Sequence, residues 1–86
     1  MTGQALKRLF KGRSILITGG LGSIGSAIFA QAIRYHPREI RIVDNRETEL
    51  FYAKQNNHDS RITYCFGDVR DKESIQPVIR GIDIVF

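Results

Sequence analysis

Short, continuously apolar runs alternate along this chain with longer segments of helical spacing. Ser14-Ile15-Leu16-Ile17-Thr18 stops abruptly at Gly19-Gly20, the pattern of a parallel strand covered on both faces. Leu21 to Tyr35 follows, with Ile24, Ala27, Ile28 and Ala32 at helical spacing. His36-Pro37 ends that helix, because proline disfavours helical geometry in the residue before it. Glu39 to Asp44 reads as a second strand, and Glu47 to Gln55 as a second helix carrying Leu50, Phe51 and Ala53. Asn56 to Ser60 is turn chemistry, and Arg61 to Phe66 is a third run, β-branched and aromatic. Asp71 to Arg80 supplies a third helix with Ile75, Val78 and Ile79 on one side. Pro77 lies inside it and predicts a short or bent helix, since its ring lacks an N–H and crowds the preceding turn. Gly81 stops that helix, and Ile82 to Phe86 begins a fourth strand.

Strands separated by helices in strict alternation predict an α/β fold: a parallel sheet, right-handed crossovers and helices on both faces. Residues 14–86 form this unit, and residues 1–13, polar with Leu6, Leu9 and Phe10 scattered among them, form a short helix or a loosely docked arm. Eighty-six residues allow one domain at most. A chain of this size buries only about 60–65% of its unfolded surface, so its core is expected to be marginal unless something else completes it. An apolar run at Ile84-Val85-Phe86 normally leads into another crossover. The sequence is therefore expected to be the amino-terminal piece of a longer protein, interrupted in its fourth strand.

Charge changes this picture little. The net charge of +4 arises largely from Lys7, Arg8, Lys11 and Arg13, while the other basic residues are interspersed with acids as on a solvated surface. Nucleic acid is not the expected partner; if the arm did bind it, the binding would depend steeply on salt. The single cysteine, Cys65, lies in an apolar run and is expected to be a buried thiol in a reducing, cytoplasmic setting. No apolar stretch approaches the roughly 20 residues of a membrane span, and the amino terminus lacks a secretory apolar core.

The candidate chemistry begins at Thr18-Gly19-Gly20-Leu21-Gly22-Ser23-Ile24-Gly25. Gly19 permits the tight turn off the strand, Gly22 lets backbone amides approach a pyrophosphate, and Gly25 lets the helix pack closely on the sheet. The helix start adds N–H donors and the positive end of its dipole, and Ser23 offers a hydroxyl. A glycine motif alone can be only a turn. This one follows a strand, opens a helix and precedes Asp44 at the end of the second strand, where a carboxylate can bind a ribose hydroxyl. Asp44 favours NAD, and Arg46 keeps NADP open; alternatively Asp44 and Asn45 merely shape the turn into the next helix.

Gly67-Asp68-Val69-Arg70-Asp71 after the third strand makes a resemblance specific. Together with the glycine pattern and Asp44, it resembles the extended short-chain dehydrogenase/reductase superfamily. Phe10 to Gly20, Gly22 to Gly25 and Gly81 to Phe86 are similar to its polysaccharide-biosynthesis branch, which includes UDP-N-acetylglucosamine 4,6-dehydratases and related epimerases. The resemblance implies the amino-terminal part of a doubly wound Rossmann fold with NAD, or NADP, bound by Gly19, Gly22, Ser23, Ile24, Gly25, Asp44 and Arg46. It further implies that Asp68 accepts a hydrogen bond from the adenine amino group and that the Val69 backbone flanks the ring. Asp68 or Asp71 can also cap the third helix, with Asp71 the better placed. Arg70 reads as solvated rather than as a ligand. The full-length enzyme is implied to act on a nucleotide-activated sugar, as a homo-oligomer.

No catalytic constellation is legible. The superfamily uses Tyr-x-x-x-Lys, with Met replacing Tyr in some dehydratases, but Glu39, Asn56 and Asp68 stand four residues after Tyr35, Tyr52 and Tyr64. The fragment alone is expected to be inactive, and the alternative reading is a non-catalytic dinucleotide-binding Rossmann module. His36 and His58 are isolated and, with one cysteine, assemble no zinc site. Neither a Gly-x-Ser-x-Gly elbow nor a Walker A lysine is present.

Overall fold

A computed structural model describes residues 3–86. In chain order it contains α1 (Gly3–Phe10), β1 (Ser14–Thr18), α2 (Ser23–Ala32) with a 3-10 turn at Ile33–Tyr35, β2 (Glu39–Asp44), α3 (Glu47–Asn56), β3 (Ile62–Phe66), α4 (Lys72–Ile79) and β4 (Ile84–Val85). The strands form one parallel sheet in the order β3-β2-β1-β4. This is the alternating α/β architecture that the apolar runs predict.

β1 occupies the interior of the sheet, with Ser14 opposite Glu39 on one side and Ile15 opposite Ile84 on the other. Ile15, Leu16 and Ile17 are all fully buried, which explains why this run is continuously apolar rather than alternating. Ile15 and Ile17 pack on one face with Phe10, Ala32, Ile40 and Ile42, joined by Leu21, Ile28 and Phe29 at and within α2. Leu16 points to the other face and packs with Val43 and Val78. Burial of such side chains stabilises a fold by roughly 1.5–3 kcal/mol each, so β1 is the strand on which the rest depends.

Residues 1 and 2 of the predicted arm lie outside the described residues. The remainder folds as a helix anchored by Phe10, whose ring lies 6.2 Å from Tyr35 and 5.8 Å from Phe86 between centroids. α2 begins two residues later than its apolar spacing predicts. Leu21 and Gly22 belong to the turn, and Ile24, first in the expected apolar stripe, is 78% exposed. The helix instead sets Gly25 against the turn, where a Cβ would overlap Gly19 O and come within 2.7 Å of Gly20 Cα. α4 is short, as Pro77 predicts, and ends at Ile79. β4 is brief, but Asp83 N donates to Ser14 O at 2.8 Å and Phe86 N to Leu16 O at 2.9 Å, extending its pairing at both ends.

Candidate nucleotide site at the carboxyl ends of the strands

The tops of three strands are stitched together by backbone. Gly19 N donates to Val43 O at 2.8 Å, and Gly67 N donates to Asp44 O at 3.1 Å. Gly19 turns the chain off β1 with φ +60°, a conformation that side-chain-bearing residues rarely adopt. Gly22 N then closes the turn onto Gly19 O at 3.0 Å. The first glycine therefore shapes the turn by its backbone angle and the third, Gly25, by its lack of a side chain. Gly20 was not legible as a site residue: a Cβ there would overlap the Ile42 side chain, and the Gly-Gly doublet was the available signal.

These turns enclose two adjoining clefts. One, of about 180 Å3, is lined by Gly19, Val43, Asp44, Asn45, Gly67, Asp68, Val69 and Arg70. The other, of about 460 Å3, is lined by Thr18, Gly22, Ser23, Ile24, Ile28 and Phe86, with Gly19 and Gly25 in its wall. Gly19 borders both, so the glycine turn forms the ridge between them. Of the sequence-predicted residues, Gly19, Asp44, Asp68 and Val69 meet in the first cleft and Gly19, Gly22, Ser23, Ile24 and Gly25 in the second. Arg46 lines neither cleft; its Nη2 lies 3.8 Å from where a Cβ on Gly22 would be.

The start of α2 is open. No side chain caps it and no acidic residue lies in its first turn, whereas α4 is capped by Asp71, which accepts from Glu73 N at 3.1 Å. Orphan N–H groups at a helix start need an acceptor, and the positive end of the dipole favours an anionic one. The Asp71 cap is the one the sequence favoured.

Asp44 is the buried charge of the site, 5% exposed. Its Oδ2 accepts from Leu21 N and Arg46 Nη2, each at 3.2 Å, and its Oδ1 accepts from Arg46 N at 3.0 Å and Arg46 Nε at 3.1 Å. Burial pushes the carboxyl up, but the hydrogen bonds from Arg46 and Leu21 outweigh it and hold the group below its ordinary value. The bond to Leu21 was invisible in the sequence, since it joins residues 23 apart through the fold. Asp44 and Arg46, which pull cofactor choice in opposite directions when read separately, are partners here.

The same Asp-x-Arg clamp recurs at Asp68. Its carboxylate accepts from Arg70 N at 2.9 Å, Nε at 3.0 Å and Nη2 at 2.8 Å, and the Arg70 side chain lowers its pKa to about 2. Arg70 is thus exposed yet paired. Asp68 does not cap α4 with its carboxylate; instead its backbone N–H donates to Ser74 Oγ at 3.1 Å. Val69, between the paired residues, is 54% exposed and offers an apolar surface to the cleft.

Cys65 is half-buried, and burial raises its thiol pKa, away from a reactive thiolate. Among the described residues no cluster of His, Cys, Asp and Glu could hold a metal ion, and no helix is long and apolar enough to cross a membrane.

Residues 15–86 match the family described as polysaccharide biosynthesis protein. The chain is 37% identical over 83 residues to an uncharacterized membrane protein of Methanocaldococcus jannaschii, covering 96% of this chain and 25% of that one. It is 36% identical over 78 residues to a UDP-N-acetylglucosamine 4,6-dehydratase (inverting) of Campylobacter jejuni, covering 90% and 23%. A solved epimerase from Methanothermobacter thermautotrophicus superposes with a TM-score of 0.75 at 26% identity, covering 98% and 24%. The chain thus spans about a quarter of the length of these proteins.

Proposed function

Because the chain belongs to the polysaccharide biosynthesis protein family, we propose that it is the NAD(P)-binding portion of a nucleotide-sugar dehydratase or epimerase. The observation that carries this reading is convergence: an uncapped helix start, a glycine turn that excludes side chains, and two strand-end aspartates border adjoining clefts at the carboxyl ends of parallel strands. In this reading the first-turn amides of Ser23, Ile24 and Gly25 hold the pyrophosphate, with Gly19 and Gly22 keeping the approach clear. Asp44 accepts from the adenosine ribose, Asp68 from the adenine amino group, and Val69 covers the ring. The nicotinamide supplies hydride acceptance and return when bound. This chain's residues bind and orient; the groups that move protons on the sugar belong to the remainder of a longer enzyme, and residues 3–86 alone are inactive.

The choice of cofactor turns on the Asp44–Arg46 pair. A ribose diol must share the carboxylate with Arg46, whereas a 2′-phosphate would draw the guanidinium away and leave the carboxylate beside a dianion. NAD is therefore the proposed cofactor, with NADP the second reading that exposed Arg46 supports. Calorimetry with NAD and NADP tests both. NAD binding that Gly22→Val weakens at least 10-fold supports the proposal; unchanged affinity in that variant, or no binding of either dinucleotide, overturns it.

A further inference from the structure

At the end of the sheet opposite the glycine turn, the fold assembles a basic face that the sequence distributes over separate segments. Lys7 and Arg8 lie on α1, and Lys11 and Arg13 lie in the turn after it. Gly12 N donates to His36 O at 3.0 Å, and Arg38 N donates to Arg13 O at 2.9 Å. These bonds bring the turn after α1 against the segment leading into β2, which contributes Arg34 and Arg38. All six cations are exposed, and none forms an ion pair among the described residues. The acids at this end are already engaged. Glu39 pairs with Arg41 at 2.8 Å, Asp59 with Arg61 at 2.6 Å, and Asp83 Oδ2 accepts from Ser14 N at 2.8 Å.

We propose that this face docks the protein on an anionic bilayer surface, with the nucleotide clefts turned away from the lipid. Charge complementarity selects an anionic partner, since clustered Lys and Arg near such a surface each contribute about 1 kcal/mol, or roughly fivefold in affinity. Side-chain chemistry favours lipid over nucleic acid. Phe10, the aromatic residue of α1, is buried against Tyr35 and Phe86, so its ring provides no platform on which bases stack. Leu9, 36% exposed among the cations on α1, is instead an apolar group suited to the headgroup boundary. The location also serves the proposed chemistry: β1 to β3 begin at this face and end at the clefts, so docking leaves the clefts open to soluble ligands.

Co-sedimentation with vesicles of phosphatidylcholine containing about a third phosphatidylserine tests the proposal, with pure phosphatidylcholine vesicles and a DNA duplex as comparisons. The expected result is binding to the anionic vesicles alone, reduced at least 10-fold by Arg34→Gln with Arg38→Gln and more strongly by neutralising Lys7, Arg8, Lys11 and Arg13. Neutralising Lys54 and Lys72, equal in charge to the Arg34 and Arg38 pair but on α3 and α4, should leave binding within about twofold. Circular dichroism on each variant checks that the fold persists. Equal binding to neutral vesicles, tighter binding to DNA, an equal loss from the Lys54 and Lys72 variant, or no binding to any probe overturns the proposal. These outcomes are independent of dinucleotide affinity and leave the cofactor reading untouched.

Discussion

Asp44 accepts a hydrogen bond from the backbone N–H of Leu21 at 3.2 Å, so the carboxylate at the end of β2 holds the glycine turn that follows β1. A side chain suited to meeting a ligand is also a structural brace. Removing it should affect stability and binding together, unlike a residue that only contacts a ligand.

Asp44→Ala is expected to destabilise the fold by about 1–3 kcal/mol, because Leu21 N–H and the Arg46 guanidinium lose a buried acceptor. Urea unfolding measures this. A midpoint equal to the parent's would show that the turn does not depend on the carboxylate.

Arg46→Ala is expected to strengthen NAD binding severalfold by freeing the Asp44 oxygens, and to weaken NADP binding by about 10-fold or more through loss of the cation. Titration of both dinucleotides reads the two effects with opposite signs. Parallel changes would mean that Arg46 acts only on the fold.

The acid limb of stability should bear the same signature. The Asp44 pKa is lower folded than unfolded, so its contribution is complete above the unfolded value near 3.8 and disappears as pH falls through the folded value. Asp59 and Asp68, each lowered to about 2, titrate in the same direction, but their exposure to solvent screens their effect. Unfolding midpoints measured downward from pH 5 should therefore fall more steeply for the parent than for Asp44→Asn. Superimposable pH profiles would place the dependence elsewhere.

Gly25→Val should prevent stable folding, since a Cβ at that position meets backbone and not a movable side chain. By contrast, Asp71→Ala should cost about 1 kcal/mol through loss of the α4 cap and leave dinucleotide affinity unchanged. Thermal unfolding of both variants separates them, and a well-folded Gly25→Val protein would contradict the observed packing.

Much of the fold was legible because β1 is apolar at consecutive positions and its flanking helices have their own periods. The motif glycines were legible for the same local reason: a turn between strand and helix restricts side chains. Ile24 shows where periodicity misled, since an apolar residue at helical spacing was assigned to the packed stripe while the helix actually turned Gly25 inward. Gly20, Leu21 and the Asp44–Arg46 clamp were missed because their constraints come from residues distant in sequence or from side-chain geometry. Arg34 and Arg38 likewise looked like ordinary surface charges until the Gly12–His36 and Arg13–Arg38 backbone bonds set them beside α1.

Ser14 and Asp83 exchange hydrogen bonds across 69 residues, from Ser14 N to Asp83 Oδ2 and from Asp83 N to Ser14 O. The strand on which the sheet is built is thus made early, and its second neighbour only 69 residues later. Closing this contact costs about 1 kcal/mol more chain entropy than pairing Ser14 with Glu39. Pulse-labelled hydrogen exchange should find Ile40 to Val43 protected before Phe86, and the reverse order would contradict this sequence of events. During synthesis, one edge of β1 therefore waits, apolar and unpaired, until β4 has been made.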